Sequence, residues 1–172
     1  ALDEKLLTMS SGEIEVPMVV AKPDIQAVDT REAVETARTM ISGEVTVRSG
    51  DKTWPLTVRQ IESAMDYRTE GSGTTAKLVP FLSAEKLVPH LSAVAEAVKI
   101  PPKDAMWETD GEKATLVPAV PGKELDATTT ALAVDAAAKS KSSRVANVAL
   151  RDVQAERTTE KAEAMGIKEK LG

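Results

Sequence analysis

The sequence predicts an α+β fold in which a mainly antiparallel sheet with hairpins packs against about four helices. Three observations carry this prediction. Valines alternate with polar residues in short segments such as 45–48, which is the period of a half-buried strand. Turn residues separate two pairs of such segments, at 49–51 and 109–112, as in β-hairpins. Other segments begin with a capping residue and carry apolar residues at helical spacing.

The composition indicates one ordinary domain, or one domain and part of another. The chain has 172 residues, of which 42% are apolar and 28% are charged, and its formal net charge is −5. It contains two tryptophans, one tyrosine and one phenylalanine. Because alanine and valine supply most of the apolar side chains, the core buries less area per residue than an aromatic-rich core. We therefore expect modest stability.

The same composition excludes several classes of protein. No apolar run approaches the roughly 20 residues that a membrane-spanning helix needs. A net negative charge without a dense stripe of Lys and Arg argues against nucleic acid as a partner. Zero cysteines and a single histidine exclude thiolate or His-rich metal centres, so we expect no cofactor and no metal. The chain starts at Ala1 without a signal peptide and is interpreted as a piece of a longer protein.

A weak internal repeat indicates how the chain is organised. Each copy consists of a valine-alternating strand, a polar stretch and a threonine that opens a helix. The residues that agree at a constant offset of 129 are Val16 with Val145, Val19 with Val148, Lys22 with Arg151, Thr30 with Thr159, and Ala33 with Ala162. The sequence therefore predicts that residues 1–28 are the tail of a preceding repeat, that 30–150 form a complete repeat, and that 155–172 begin the next unit of the longer protein.

The first half of the chain is predicted to contain strands, a hairpin and two helices. In chain order these are a strand over 13–21, a helix capped by Thr30 and ended by Gly43, a hairpin over 45–56, a short helix opened by a capping box at Thr57 and Gln60, a flexible tip at 71–75, and a strand over 78–82. The first helix is expected to bury Ala33, Val34, Ala37, Met40 and Ile41.

The second half is predicted to alternate helices with strands. Its elements are a long helix over 84–98 capped by Ser83, a hairpin formed by 105–108 and 113–117, a turn at Pro121 and Gly122, a helix from Asp126 to about Lys139, a strand over 144–150, and a short helix opened by Thr158 or Thr159 and closed by Gly166. Pro89 is expected to kink the long helix or to delay its start, because proline is tolerated only in the first turn. Leu87, Leu91, Val94 and Val98 are expected to face inward.

No arrangement of residues predicts an active site. His90 is the only histidine, and Ser83 and Ser92 lie on its own predicted helix, so a catalytic triad has no basis. We interpret His90 as a residue at the boundary of the core. The carboxylates Glu108, Asp110 and Glu112 surround a hairpin tip, which is solvated and convex, whereas glycosidases need two carboxyls in a cleft. Residues 71–73 lack the Lys-Ser/Thr of a phosphate loop.

The aromatic residues leave two interpretations open. Trp54 and Trp107 each lie on a predicted hairpin strand, where an indole either fills the core or offers a platform for sugars. Because the chain has so few aromatic residues, we favour a place in the core for both tryptophans. If the chain binds a ligand, Trp54, Trp107 and Tyr67 are the candidate binding residues.

The order of several short motifs resembles a known family. The motifs are VTVRSGDKTWPLTVRQI at 45–61, LSAEKLVPHL at 82–91, PPKDAMWE at 101–108 and LVPAVPGKELD at 116–126. This order is similar to that of the peptidoglycan-binding domain found in tandem ahead of VanW-like domains and some L,D-transpeptidases of Gram-positive bacteria. The resemblance covers residues 30–150. The closing RTTEKAEAMGIKEKLG resembles the junction that leads into a VanW-like domain, which would begin after Gly172.

The resemblance implies a non-catalytic module of an extracytoplasmic, membrane-anchored protein of the cell wall, related to vancomycin resistance. Its expected partners are peptidoglycan, neighbouring repeats and a VanW-like domain in the same chain. It supplies no catalytic residues, because the transpeptidase signature requires a cysteine and this chain has none.

Two functions remain open at this point. In the first, the unit binds glycan strands or stem peptides in a groove between sheet and helices, which convergent polar groups and exposed aromatic rings would support. In the second, the repeats form a purely structural stalk between the membrane anchor and the VanW-like domain, which needs only contacts between neighbours. The scarcity of aromatic residues favours the stalk, whereas the family resemblance favours binding.

Overall fold

The computed structural model describes residues 30–111 and 113–166. The strand predicted over 13–21, the tail at 1–28, Glu112 and the end of the junction at 167–172 lie outside the described residues. The fold is α+β, as predicted. The helices are α1 (Arg31–Met40), α2 (Val58–Ala64), α3 (Ala84–Leu87), α4 (Ser92–Val98), α5 (Ala127–Lys139) and α6 (Thr159–Glu163).

Within the described residues, the strands form one three-stranded sheet and three two-stranded sheets. They are β1 (Val45–Ser49), β2 (Lys52–Leu56), β3 (Met65–Glu70), β4 (Lys77–Leu82), β5 (Met106–Thr109), β6 (Ala114–Val117), β7 (Gly122–Leu125), β8 (Val145–Asn147) and β9 (Leu150–Val153). Strands β2 and β8 flank β1 in the larger sheet, β2 antiparallel and β8 parallel to it. The pairs β3–β4, β5–β6 and β7–β9 are antiparallel, so the prediction of mainly antiparallel pairing is confirmed.

The two predicted hairpins are present. Strands β1 and β2 are joined by Gly50, at φ +57°, and Asp51, with Ser49 opposite Lys52. The side chains of Val45 and Val47 are fully buried, whereas Arg48 is exposed, because alternate residues of a strand point to opposite faces. Strands β5 and β6 turn through Gly111, at φ +106°.

Two strand predictions need correction. The predicted strand 144–150 is two strands, since β8 pairs with β1 while β9 pairs with β7. Strand β3 was not predicted, because its sequence MDYRTE is polar and its side chains are half-buried or exposed throughout. The predicted flexible tip after β3 contains a 3₁₀ turn, Gly73–Thr75, in which the hydroxyl of Thr75 donates to the carbonyl of Ser72 at 2.9 Å.

All five predicted caps stand at the N-terminal ends of their helices, but only three of them form the expected side-chain hydrogen bond. Thr57 and Gln60 form the capping box of α2, Asp126 accepts from the backbone N–H of Thr129 at 3.0 Å, and Thr158 accepts from that of Lys161 at 3.4 Å. By contrast, neither Thr30 nor Ser83 accepts a capping hydrogen bond on its side chain. The backbone of Thr30 is helical (φ −89°, ψ −8°), whereas a capping residue is usually extended.

The long predicted helix is interrupted near Pro89, as expected. Helix α3 ends at Leu87, a 3₁₀ turn extends over Val88–Leu91, and α4 begins at Ser92. Proline has no N–H to donate and its ring crowds the preceding turn, so the α-helical hydrogen bonds are broken there. The inward positions Leu87, Leu91, Val94 and Val98 are all buried, so that prediction is confirmed.

One continuous cluster of buried side chains, the main core, connects helices α1 to α5 with the three-stranded sheet. Its members are aliphatic: Met40, Val45, Val47, Leu56, Ile61, Ala64, Leu82, Leu87, Leu91, Val94, Val98, Ala131, Val134, Ala137, Ala138 and Ala146. The composition therefore predicted the character of the core correctly. Val34 was predicted to be buried with Ala33 and Met40, but 45% of it is exposed.

A second packed region, the C-terminal region, consists of residues 103–111, 113–120 and 155–166. Helix α6 lies against the hairpin of β5 and β6, where Ala105, Ala155 and Ala162 are buried. The backbone N–H of Ala105 donates to the carbonyl of Arg157 at 2.9 Å. Gly166, at φ +66°, comes after the helix as predicted.

Gly122 was predicted to form a turn, but it lies in β7. A Cβ atom at this position would clash with the backbone carbonyl of Ile100 and with the backbone and ring of Pro102. The backbone of β7 passes so close to residues 100–102 that only glycine fits. The sequence signal Pro-Gly thus marks a close approach between two backbone segments.

Arg144 connects the main elements in a way that the sequence did not reveal. Its guanidinium donates to the carbonyls of Thr39, Met40 and Gly43 at the end of α1, to Ala138 near the end of α5, and to Glu44, at 2.7–3.0 Å. Carbonyls at the end of a helix lack partners within the helix and carry partial negative charge. One cation therefore satisfies the ends of two helices beside the first strand of the sheet.

Candidate binding groove

The three aromatic residues predicted to bind a ligand lie on three different sheets. Trp54 is on β2, Tyr67 on β3 and Trp107 on β5. Trp54 stands opposite the buried Val47 and packs against the main core while half-buried. Its indole thus points to the core face of its sheet.

The two remaining rings differ in exposure. The indole N–H of Trp107 donates to the carbonyl of Ala162 at 3.3 Å, so this half-buried side chain holds α6 against the hairpin. Tyr67 lies opposite Pro80 with 50% of its surface exposed, which makes it the most exposed of the three. Binding by any of these rings stays a prediction.

His90 contacts a serine that the sequence did not pair with it. Its Nε2 lies 2.9 Å from the hydroxyl oxygen of Ser63 on α2. That hydroxyl also lies 2.9 Å from the carbonyl of Gln60, to which it donates, as serine commonly does within a helix. A hydroxyl has one hydrogen, and the geometry of Ser63 directs it to a carbonyl of its own helix. The contact joins α2 to the 3₁₀ turn, at the boundary of the core.

One carboxylate of the β5–β6 hairpin, that of Asp110, holds its turn. The side chain of Asp110 accepts from the backbone N–H of Lys113 at 3.0 Å, and Glu108 and Asp110 are both exposed.

Three carboxyl groups among the described residues have a pKa that hydrogen bonds lower below its ordinary value. The main donors are the side chain of Lys86 for Asp66, the backbone N–H of Thr129 for Asp126 and the side chain of Thr158 for Glu160. A general acid needs the opposite shift.

A groove of about 420 Å³ runs between helix α4, with the 3₁₀ turn before it, and strands β7 and β9. Its apolar lining comes from Val88, Leu91, Ala95, Leu125 and Ala127. This volume lies within the range of about 300–1,000 Å³ that is usual for ligand pockets.

Charged side chains of both signs border the groove on its two sides. Glu96 and Lys99 come from α4 and the residue that ends it, and neither forms an ion pair within the described part of the chain. On the other side, the Nε of Arg151 donates to Glu124 at 2.6 Å, and its Nη2 bonds the same carboxylate oxygen. The sequence did not single out these four residues as a site, because they come together only through the pairing of β7 with β9 and the packing of α4 against β7.

A second hollow of about 320 Å³ lies between α1 and β4. Its lysines already have acidic partners: Lys77 pairs with Glu32 at 3.3 Å and Lys139 with Asp135 at 2.7 Å. Asp135 in turn accepts from the backbone N–H of Leu82 at 2.8 Å, which ties α5 to β4. Both lysines of this hollow are paired, whereas Glu96 and Lys99 of the first groove have no ionic partner among the described residues, so the first groove is the better candidate for a ligand.

Two further observations concern metal ligands and membrane-spanning helices among the described residues. Within residues 30–111 and 113–166, no group of three or more His, Cys, Asp or Glu side chains could hold a metal ion. In the same part of the chain, no helix has both the length and the apolar character needed to cross a bilayer.

Comparison with known proteins gives one match. No curated protein and no solved structure matches the chain. The family model described as "Putative peptidoglycan binding domain" matches residues 53–147, more than half of the chain. The match begins in β2 and ends in β8, the two strands that flank β1. The chain therefore belongs to that family of peptidoglycan-binding domains.

Proposed function

We propose that this chain is a non-catalytic module that binds peptidoglycan and positions its parent protein in the cell wall. The observation that carries the proposal is the family match over 53–147. The groove beside α4 adds physical support, because it combines an apolar lining with convergent charged groups.

The cellular setting of the proposal comes from the order of the motifs. We propose an extracytoplasmic module of a membrane-anchored protein from a Gram-positive bacterium, with a VanW-like domain after it in the same chain. The motif at 157–172 supports this order, since it resembles the junction before such a domain.

The proposed unit extends beyond the family match. We propose that 1–28 end a preceding repeat, that 30–150 form the complete repeat and that 155–172 lead into the next domain. Strand β1 supports a start of the repeat before residue 53, because β2 and β8 both pair with β1 and not with each other. The offset of 129 between the two copies supports a tandem arrangement.

Sedimentation with purified sacculi tests the proposal. The 172-residue chain is expected to pellet with sacculi at low salt and to stay in the supernatant without them. A chain that remains soluble at every concentration of sacculi would overturn the proposal. Tyr67→Ala, Trp54→Ala and Trp107→Ala test the predicted binding residues, provided that circular dichroism shows each variant to be folded.

The alternative function is a structural stalk, and the contacts of the two tryptophans favour it. The N–H of Trp107 is used to hold α6, and Trp54 packs against the main core, so both indoles serve the fold. A stalk predicts a folded chain that shows no retention on sacculi.

A further inference from the structure

The lining of the groove distinguishes between the two parts of peptidoglycan, its glycan strands and its stem peptides. The described residues that line the groove include no aromatic side chain. Sugars are usually held by stacking on an aromatic ring, whereas methyl groups and short aliphatic side chains pack well on Leu91, Leu125 and Ala95. This lining suits a peptide rich in alanine.

The charges at the border fit the same ligand. Stem peptides carry several carboxylates, and those with a diamino acid carry an amine as well. The ammonium of Lys99 has no acidic partner among the described residues. Arg151 keeps the N–H groups that point away from Glu124, because Nε and Nη2 share one carboxylate oxygen. Lys99 and Arg151 can therefore receive carboxylates from opposite sides of the groove.

Glu96 provides the complementary contact. It is exposed and lacks a cationic partner within the described residues, and it lies three positions before Lys99 on the same side of the groove. A ligand that bears both a carboxylate and an amine can pair with both residues. A glycan strand whose lactyl carboxyls are all joined to peptides is uncharged and can satisfy neither charge.

We infer that the groove between α4 and strands β7 and β9 binds the stem peptide of peptidoglycan, with Lys99 and Arg151 contacting its carboxylates and Glu96 its amine. This inference rests on the proposed function and names the part of the polymer that is recognised. The aliphatic lining packs against the alanine side chains of the peptide.

The first test compares two soluble probes by calorimetry. One is a synthetic stem pentapeptide with free carboxylates and a free side-chain amine, and the other is an uncharged glycan, an oligomer of N-acetylglucosamine, because removing the peptides from the natural glycan would expose its lactyl carboxylates. The 172-residue chain is expected to bind the pentapeptide and not the glycan. Binding of the glycan alone would overturn the inference.

Charge reversal at the border tests the assigned contacts. Lys99→Glu is expected to weaken binding of the pentapeptide by about tenfold, the size of one lost charge-assisted contact. Lys103→Glu makes the same charge change at an exposed residue outside the groove lining and is expected to leave the affinity within about twofold. Equal losses in both variants would mean that only the net charge matters, which contradicts the inference.

Filling the groove provides a test that does not depend on charge. Ala95 lines the groove, whereas Ala97 on the same helix is exposed and does not. Ala95→Met is expected to abolish binding of the pentapeptide, and Ala97→Met is the control because both changes keep a good helix former. Unchanged affinity in a folded Ala95→Met variant would overturn the inference.

The outcome on sacculi separates failure of the inference from failure of the proposed function. If wild type, Lys99→Glu and Ala95→Met all pellet equally with sacculi, the chain binds peptidoglycan at another surface and only the inference fails. If the wild type does not pellet, the proposed function fails as well.

Discussion

The main core and the C-terminal region are stabilised in different ways. The main core buries large aliphatic side chains, among them Met40, Ile61 and Leu87. In the C-terminal region, the buried apolar side chains are the alanines Ala105, Ala155 and Ala162. Much of its cohesion therefore comes from single hydrogen bonds, such as that from the backbone N–H of Ala119 to the hydroxyl of Thr159 at 3.0 Å.

This difference has a consequence for stability and for the groove. Burial of a large aliphatic side chain contributes about 1.5–3 kcal/mol, whereas a net hydrogen bond contributes about 1 kcal/mol. We expect the C-terminal region to open locally before the main core unfolds. The groove lies between α4, which is anchored in the main core by Val94 and Val98, and the β7–β9 pair, whose chain continues into the C-terminal region.

The two tryptophans provide one spectroscopic reporter for each region. Trp54 packs against the main core, and Trp107 contacts α6 in the C-terminal region. The Trp107→Phe variant keeps only Trp54, whose fluorescence reports on the main core. The Trp54→Phe variant keeps only Trp107, whose fluorescence reports on the C-terminal region, so the two regions can be followed separately during denaturation.

The largest effect is expected from a cavity in the main core. Leu87→Ala removes a fully buried side chain of α3 and is expected to lower the free energy of unfolding by about 3–4 kcal/mol. Denaturation in urea, monitored by the fluorescence of Trp54, measures this loss.

Leu132→Ala is the matched control, since 67% of Leu132 is exposed. It is expected to change the free energy of unfolding by less than about 0.5 kcal/mol. Equal losses in both variants would contradict the assignment of Leu87 to the core that carries the stability.

The second effect concerns Arg144. Arg144→Met leaves carbonyls at the ends of α1 and α5 without donors and is expected to cost about 2–3 kcal/mol. Arg144→Lys keeps the charge but not the planar set of donors, so it should recover only part of this loss. Urea denaturation of both variants measures the difference, and full recovery by lysine would show that charge alone is sufficient.

The third effect tests whether the C-terminal region opens by itself. Trp107→Phe keeps a ring but removes the hydrogen bond to Ala162, which should cost about 1 kcal/mol within this region. Amide hydrogen exchange is expected to accelerate in α6 and to stay unchanged for Ile61 in the main core. Equal acceleration in both places would show that the two regions open together.

The smallest effect is a pH dependence at the start of α5. Hydrogen bonds from the N–H and hydroxyl of Thr129 hold the pKa of Asp126 below its ordinary value of 3.8. The ionised form is thus favoured in the folded state, and its contribution is complete above about pH 3.8, the unfolded value. Stability from this cap is lost as the pH falls through the lower folded pKa.

Asp126→Asn keeps a capping side chain without a titratable group. The urea concentration at the midpoint of unfolding should therefore fall less in acid for Asp126→Asn than for the wild type. The control Asp152→Asn alters an exposed ion pair with Lys123 and should leave most of this fall in place. An unchanged acid profile in Asp126→Asn would contradict the role of this carboxylate.

Local signals predicted much of the fold. The capping box at Thr57 and Gln60, the cap at Asp126 and both hairpins depend on residues a few positions apart, which sequence patterns record well. Strand β3 was missed because it is mostly polar and none of its side chains is fully buried. The end of β8 at Asn147 and the start of β9 at Leu150 depend on which strand each segment pairs with. The five contacts of Arg144 join residues far apart in the chain, so no local pattern marks them.

The candidate groove was predicted only in outline. One of the two open functions was binding in a groove between sheet and helices, but the aromatic residues predicted to bind do not line the groove that the structure shows. In the sequence, Glu96 looks like an ordinary exposed residue of the helix predicted over 84–98, Lys99 follows that helix, and Glu124 and Arg151 lie outside the predicted strands. Their significance comes from the placement of α4 beside β7 and β9, which depends on tertiary packing.

The most direct measurement of the central claim is a titration of the 172-residue chain with purified sacculi, in which the pellet and the released soluble fragments are both quantified. We predict saturable retention in the pellet, with no muropeptide released by the chain. An absence of retention, or release of muropeptides in proportion to the amount of chain, would contradict the claim.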